Sequence, residues 1–194
     1  MTKWVTKNLP LFLFFGRQFM ENYFEHLLAP DGNQELASSI INLFEELEYG
    51  LVRVKVNGTK MVNIQIMAEN DQYTMSFEDC EAVNAIIVDY LEENESLYED
   101  YSLEISSPGI ERPLTREKDF NVWSDNFVKI KLKSGDELPR KFKAKLLGYS
   151  ENKIKIFMEN EKDFNGEYFL DPLSIKEIIL SWVTKDPPKP NLIS

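Results

Sequence analysis

The chain has 194 residues, enough for one large domain or two small ones, and two is the expectation. Hydrophobic residues at 43% and charged residues at 28% are ordinary for a chain that buries a core, which excludes wholesale disorder. One cysteine, Cys80, excludes an internal disulfide and a multi-cysteine zinc site and leaves the cytoplasm as the default compartment; a net charge of −11 excludes a uniformly basic nucleic-acid binder.

The N-terminal segment opens with an apolar run, LPLFLFF at 9–15, preceded by Lys3 and Lys7. It has the look of a weak signal peptide, but Gly16 leads into Arg17, Gln18 and Phe19 rather than a small-residue cleavage site. The run is also far short of the ~20 apolar residues of a membrane span. No membrane association is expected, and the segment is read as one that docks on the folded body or as an extension ahead of the first domain. Residues 17–28 can form a short helix before Pro30, and PDGN at 30–33 reads as a turn.

From residue 34 the pattern becomes regular. Leu36, Ile40, Leu43, Phe44 and Leu47 recur at helical spacing before Gly50, which predicts an amphipathic helix over 34–48. Alternation from Leu51 to Val56, a turn at Asn57 and Gly58, and alternation from Met61 to Met67 predict a hairpin. Ser76 with Asp79 reads as a capping box for a second helix, whose apolar stripe is Cys80, Val83, Ile86, Ile87, Tyr90 and Leu91. YSLEIS at 101–106 is a third strand, so residues 33–106 are expected to form an α-β-β-α-β domain of two helices on a three-stranded sheet.

Pro108 and Gly109 impose a turn, proline presetting φ and glycine accepting the positive φ of a type II turn. Pro113 adds a second stiff point, so 107–114 reads as a linker of limited freedom, and Thr115 is expected to cap a short helix opening a second domain over 115–183. Short strands follow at 127–133, 140–149, 153–159, near 167–170 and at 175–181; their spacing suggests a small antiparallel barrel. The proline-rich end, 184–194, is expected to be loose.

Charge is segregated along this frame. Between Lys60 and Arg112 there is no Lys or Arg, while Glu78, Asp79, Glu81, Asp89, Glu92, Glu93, Glu95, Glu99 and Asp100 crowd the stretch; from Lys129 to Lys155 the balance reverses. A bipolar molecule suits a partner made of RNA and protein.

YSLEISSPGIERPLTREKDF, at 101–120, resembles the signature of the RimP family, in which the last strand of an N-terminal domain runs into a Ser-Ser-Pro-Gly turn and an Arg-Pro-Leu linker. Ser106, Ser107, Pro108, Gly109, Arg112 and Pro113 carry the motif. IQIMAEN and MSFEDCEAVNAII upstream are similar to family strings too, alphaproteobacterial ones above all, and with FVKIKL and RKFKAKLLGY downstream the resemblance covers about residues 34–181. It implies an α+β protein in which the N-terminal domain is joined to an SH3-like or Sm-like barrel. It also implies a cytoplasmic ribosome maturation factor that binds the free small ribosomal subunit without catalysis, cofactor or small-molecule substrate and contacts a basic ribosomal protein near the decoding centre. Residues 1–32 are an addition to the family pattern, and a monomer is expected.

The charge map then suggests a division of labour: Lys129, Lys131, Lys143 and Lys145 for rRNA phosphates, and Glu78, Glu81, Asp89, Glu92 and Glu93 for a basic protein. Phe142 and Tyr149 lie near the lysines, but no aromatic stacking platform is evident. Each feature has a plainer reading beside it. The lysines can simply protect a solvated strand; Asp89, Glu92 and Glu93 could hold a metal for RNA cleavage or dock basic proteins unrelated to the ribosome, but a solvated face is favoured. Cys80 reads as core rather than reactive thiol. Ser106 and Ser107 lack a nearby base, the only histidine being His26. Glu104, Glu111 and Arg112 either pair across the domain junction or are solvated.

Overall fold

The computed structural model describes residues 24–30, 32–58, 61–93, 100–135, 137–161, 164–182 and 187–191. The apolar run at 9–15 and most of the helix expected at 17–28 lie outside the described residues, as do Glu95, Glu99 and Asp136.

The N-terminal part contains α1 (Glu25–Leu28), α2 (Gln34–Phe44), β1 (Gly50–Asn57), β2 (Val62–Glu69), α3 (Phe77–Glu93) and β3 (Tyr101–Ser106). α2 starts where the Asn33 side chain accepts the N–H groups of Glu35 and Leu36, both at 3.1 Å. It ends at Phe44, four residues before the expected stop, because the N–H groups of Glu45, Glu46 and Leu47 turn to carbonyls three residues back and tighten the chain. α3 begins with the expected capping box: the Asp79 N–H donates to Ser76 Oγ at 3.1 Å and the Ser76 N–H to Asp79 Oδ2 at 2.8 Å.

β1 and β2 pair antiparallel, with a bulge between Leu51 and Arg53, and β3 pairs parallel to β2 from Val62↔Tyr101 to Met67↔Ser106. The parallel pairing follows from the connection, since the chain crosses from β2 to β3 through the whole of α3. Val54, Val56, Ile64 and Ile66 form a core with Ile40 and Phe44 of α2 and Val83, Ile87 and Leu91 of α3. The other face of the sheet carries Lys55, Asn63, Gln65, Ser102 and Glu104.

The C-terminal part contains α4 (Glu117–Val122), β4 (Phe127–Leu132), β5 (Lys141–Ser150), β6 (Lys153–Glu161), β7 (Phe164–Leu170), a 3₁₀ turn at Pro172–Ser174 and β8 (Ile175–Leu180). The strands make one antiparallel five-stranded sheet in the order β7-β6-β5-β4-β8. Glu151 and Asn152 join β5 to β6 with φ of 52° and 59°, the left-handed pair that suits a two-residue hairpin. Val128, Ile130, Phe142, Leu146, Ile154, Ile156, Ile178 and Leu180 fill the second core, together with Phe120 of α4.

Three expectations are corrected. Thr115 does not cap α4: Arg116 holds the N-cap position, and Asp119 reaches back to accept the N–H groups of Thr115 and Arg116, both at 3.0 Å. Phe142, expected near the lysine face, is buried in the core. The end of the chain is not free of the body at 187–191, where the Asn191 N–H donates to the Val122 carbonyl at 2.6 Å and Asn126 Nδ2 to the Lys189 carbonyl at 3.1 Å.

Candidate functional site

The junction between the two sheets is built from the linker. Gly109 adopts a φ of 70°, as the turn after Pro108 requires; Ser107 is exposed and Ser106 half-buried. Beyond the turn the chain docks on β8 as a short extra strand. The Leu180 N–H donates to the Arg112 carbonyl at 2.9 Å, the Leu114 N–H donates to the Ile178 carbonyl at 3.0 Å, and Pro113 bridges Ile179. Arg112 and Pro113, both motif residues, are buried.

This docking brings four buried charges together. Arg112 Nη1 donates to Glu69 Oε2 at 2.5 Å, Arg116 Nη2 donates to Glu69 Oε1, and Arg116 Nη2 also meets Asp119 Oδ1 at 2.6 Å. The Arg112 guanidinium lies 4.8 Å from the centre of the Trp123 ring. Glu69 ends β2, whereas Asp119 and Trp123 belong to α4 and its end, so the cluster ties the first sheet to the second part of the chain. Nearby, Thr115 Oγ1 donates to the Val52 carbonyl in the β1 bulge at 2.6 Å, and Arg53 meets Glu177 at 3.5 Å. A Cβ on Gly50 would come within 2.8 Å of Arg116 Nη1, so the strand start is kept small where the guanidinium passes. α1 completes the tie, with Leu27 in the second core and Leu28 and Ala29 in the first.

Burial opposes ionisation of the Asp119 carboxyl, but the Arg116 guanidinium, its hydrogen bonds and Arg112 outweigh it and hold the group below the usual carboxylate range. Of the residues expected to pair at the junction, Arg112 does so in the interior. Glu111 takes Lys129 at 2.5 Å on the surface, and Glu104 accepts a hydrogen bond from Gln65 at 2.9 Å on the polar face of the first sheet. His26 hydrogen-bonds the Pro172 carbonyl at 3.1 Å.

The lysines share one face of the second sheet. Lys129 lies opposite Lys143, and Lys131 opposite Lys141, on β4 and β5; Lys145 lies opposite Phe127. Their partners divide them. Lys129 is paired with Glu111 and Lys145 with Asp125 at 2.8 Å, whereas Lys131, Lys141 and Lys143 have no ion-pair partner among the described residues. Like charges directly across a ladder repel; here the repulsion is offset in part, since Lys131 also lies opposite Glu177 on β8 and Lys129 is held by Glu111.

On α3, Glu78, Glu81, Asp89, Glu92 and Glu93 are all exposed, and at about 100° per residue their positions fall within one side of the helix. Among the described residues no three His, Cys, Asp or Glu side chains come together as metal ligands. Cys80 is half-buried at the edge of the helix's apolar stripe rather than in the core cluster, and burial pushes its thiol pKa up. No helix among the described residues is long and apolar enough to cross a membrane.

Sequence reasoning missed two groups. Glu69, Arg116 and Asp119 give no pattern signal, since they meet only once the sheets dock. Phe127, Phe157 and Phe169 did leave one: they share strand parity with the outward lysines and point away from the core. Residues 39–111 match the family model described as the RimP N-terminal domain.

Proposed function

This chain belongs to the RimP family, a family of ribosome maturation proteins, and on that premise we propose that it binds the free small ribosomal subunit in the cytoplasm and assists its assembly without catalysis. Lys131, Lys141 and Lys143 are the first contacts for rRNA phosphates, with Lys129 and Lys145 recruited as their carboxylate partners let go. The exposed stripe of Glu78, Glu81, Asp89, Glu92 and Glu93 is the surface for a basic ribosomal protein near the decoding centre. The second sheet acts as an SH3-like barrel, and the linker motif holds it at a set angle to the first domain. In this role residues 33–106 are one domain, 107–114 the linker and 115–183 the other.

The observation that carries the proposal is the facing of Lys129 with Lys143 and Lys131 with Lys141 on an exposed sheet face. Facing lysines repel one another, an effect that Glu111 beside Lys129 and Glu177 opposite Lys131 offset only in part, and a polyanion lying across them gains from all four. The test is the salt dependence of binding to purified small subunits. With Lys131, Lys141 and Lys143 all changed to glutamine, affinity should fall and the slope of log K against log salt should drop by roughly one for each phosphate that a lysine no longer neutralises. Wild-type affinity and slope in that variant would refute the assignment.

A further inference from the structure

The outward face of the second sheet carries aromatic rings among its lysines. Phe127 on β4 lies opposite Lys145 on β5, Lys145 lies opposite Phe157 on β6, and one step along the next ladder Lys155 lies opposite Phe169 on β7. Ile154, Ile156 and Met158 fill the core from the alternate positions of β6, so Phe157 and Lys155 face away from it. Phe169 is 61% exposed, with the Lys155 ammonium 5.7 Å from its ring centre. Phe157 and Phe169 are diagonal neighbours on adjacent strands, a relation that sets such residues about 7–8 Å apart. A face serving only solubility would carry polar residues at these positions.

We propose that this face is a stacking platform for single-stranded RNA, on which Phe157 and Phe169 receive unstacked bases while Lys145 and Lys155 hold the adjoining phosphates. The inference rests on the reading of the lysine face as the RNA-binding surface and adds the form of RNA it takes. Aromatic rings offer every base a flat partner, so the platform favours unpaired nucleotides with little sequence preference, as in a subunit whose helices are not all formed. Asp125 and Glu167, which hold Lys145 and Lys155 at 2.8 Å each, are the groups that RNA phosphates would displace. Lys145 lies opposite Phe157 and Lys155 opposite Phe169, while Glu167 also lies opposite Phe157; a polyanion that takes these two ammonium groups from Asp125 and Glu167 gains what an apolar protein segment cannot, which favours RNA.

The experiment uses the full chain, a labelled single-stranded oligouridylate and an RNA duplex of equal length, with binding read by fluorescence anisotropy at several salt concentrations. Co-sedimentation with small subunits is measured in parallel. Phe157→Ala and Phe169→Ala should each weaken single-strand binding roughly 5- to 100-fold, leave duplex binding alone and leave the salt slope unchanged. Phe169→Trp, which keeps a ring, should bind as wild type does. Unchanged single-strand binding in the double alanine variant would overturn the proposal, as would equal losses for duplex and single strand. So would wild-type protein that sediments with subunits but has no affinity for the oligonucleotide. Loss of subunit binding with oligonucleotide binding intact would assign the rings to a protein partner instead. Ring-dependent binding of the oligonucleotide by a chain that does not sediment with subunits would support the platform and sink the ribosomal assignment alone.

Discussion

Replacing Glu69 with alanine removes the carboxylate that both Arg112 and Arg116 use, and leaves two guanidinium groups in the interior beside Asp119 with one buried acid fewer. The Glu69 side chain is 2% exposed, so solvent does not screen the loss. Taking one partner out of a buried ion pair costs about 3–5 kcal/mol, chiefly because an uncompensated charge stays behind. For a chain of this size each kcal/mol is worth roughly 2–4 °C, so the melting temperature should fall by about 6–20 °C. Urea titration followed by tryptophan fluorescence and by far-UV circular dichroism gives the free energy and shows whether the two parts still unfold together. The contrast is Lys129→Ala, which removes an exposed pair with Glu111 and should cost no more than about 1 kcal/mol. A Glu69→Ala protein within about 1 kcal/mol of wild type, unfolding in one coincident step, would refute the view that this cluster holds the junction.

Asp119→Asn probes the same cluster through pH. The folded-state pKa lies below the ordinary value of about 4, so the ionised carboxylate stabilises the protein above that value and the benefit is lost as pH falls through the folded pKa. The stability gap between wild type and variant should therefore be flat near neutral pH and close in the acid range below about 4; a gap that changes between pH 6 and 8 would contradict the assignment. Thr115→Val keeps the volume but strands the buried Val52 carbonyl, and chemical denaturation should register a loss of about 1–3 kcal/mol. Ser76→Ala removes the cap of α3 and should cost about 0.5–2 kcal/mol, with faster amide exchange confined to the first turn of that helix.

What was legible in the sequence was whatever depends on local periodicity. Alternation placed β1, β2 and β3 within a residue or two, and the Ser76–Asp79 spacing identified a cap that forms as read. The end of α2 was not legible, because Leu47 continues the apolar spacing while the backbone has already tightened after Phe44. Thr115 looked like a cap by residue type, but the β1 bulge presents the Val52 carbonyl to its hydroxyl, and Asp119 satisfies the orphan amides instead. The lysines were found by composition, yet which of them carry partners depends on strand register and on where Glu111 and Asp125 fall, and that is a property of the folded sheet. Phe157 and Phe169 are the instructive omission. Their parity with Lys155 and with Glu167 was readable in KIKIFME and GEYFL, but aromatic residues in strands are more often core, as Phe142 is.

In the proposed role, the lysine face and the acidic helix meet the free small subunit together. Sucrose-gradient sedimentation of an extract from the cells that make the chain, with the chain detected by antibody across the fractions, tests it most directly. The chain should run in the free small-subunit fractions at low salt, be absent from the full-ribosome peak, and shift to the top of the gradient on Lys131→Gln/Lys141→Gln/Lys143→Gln. A chain that stays at the top of the gradient at low salt, or sediments equally well with full ribosomes, would contradict it.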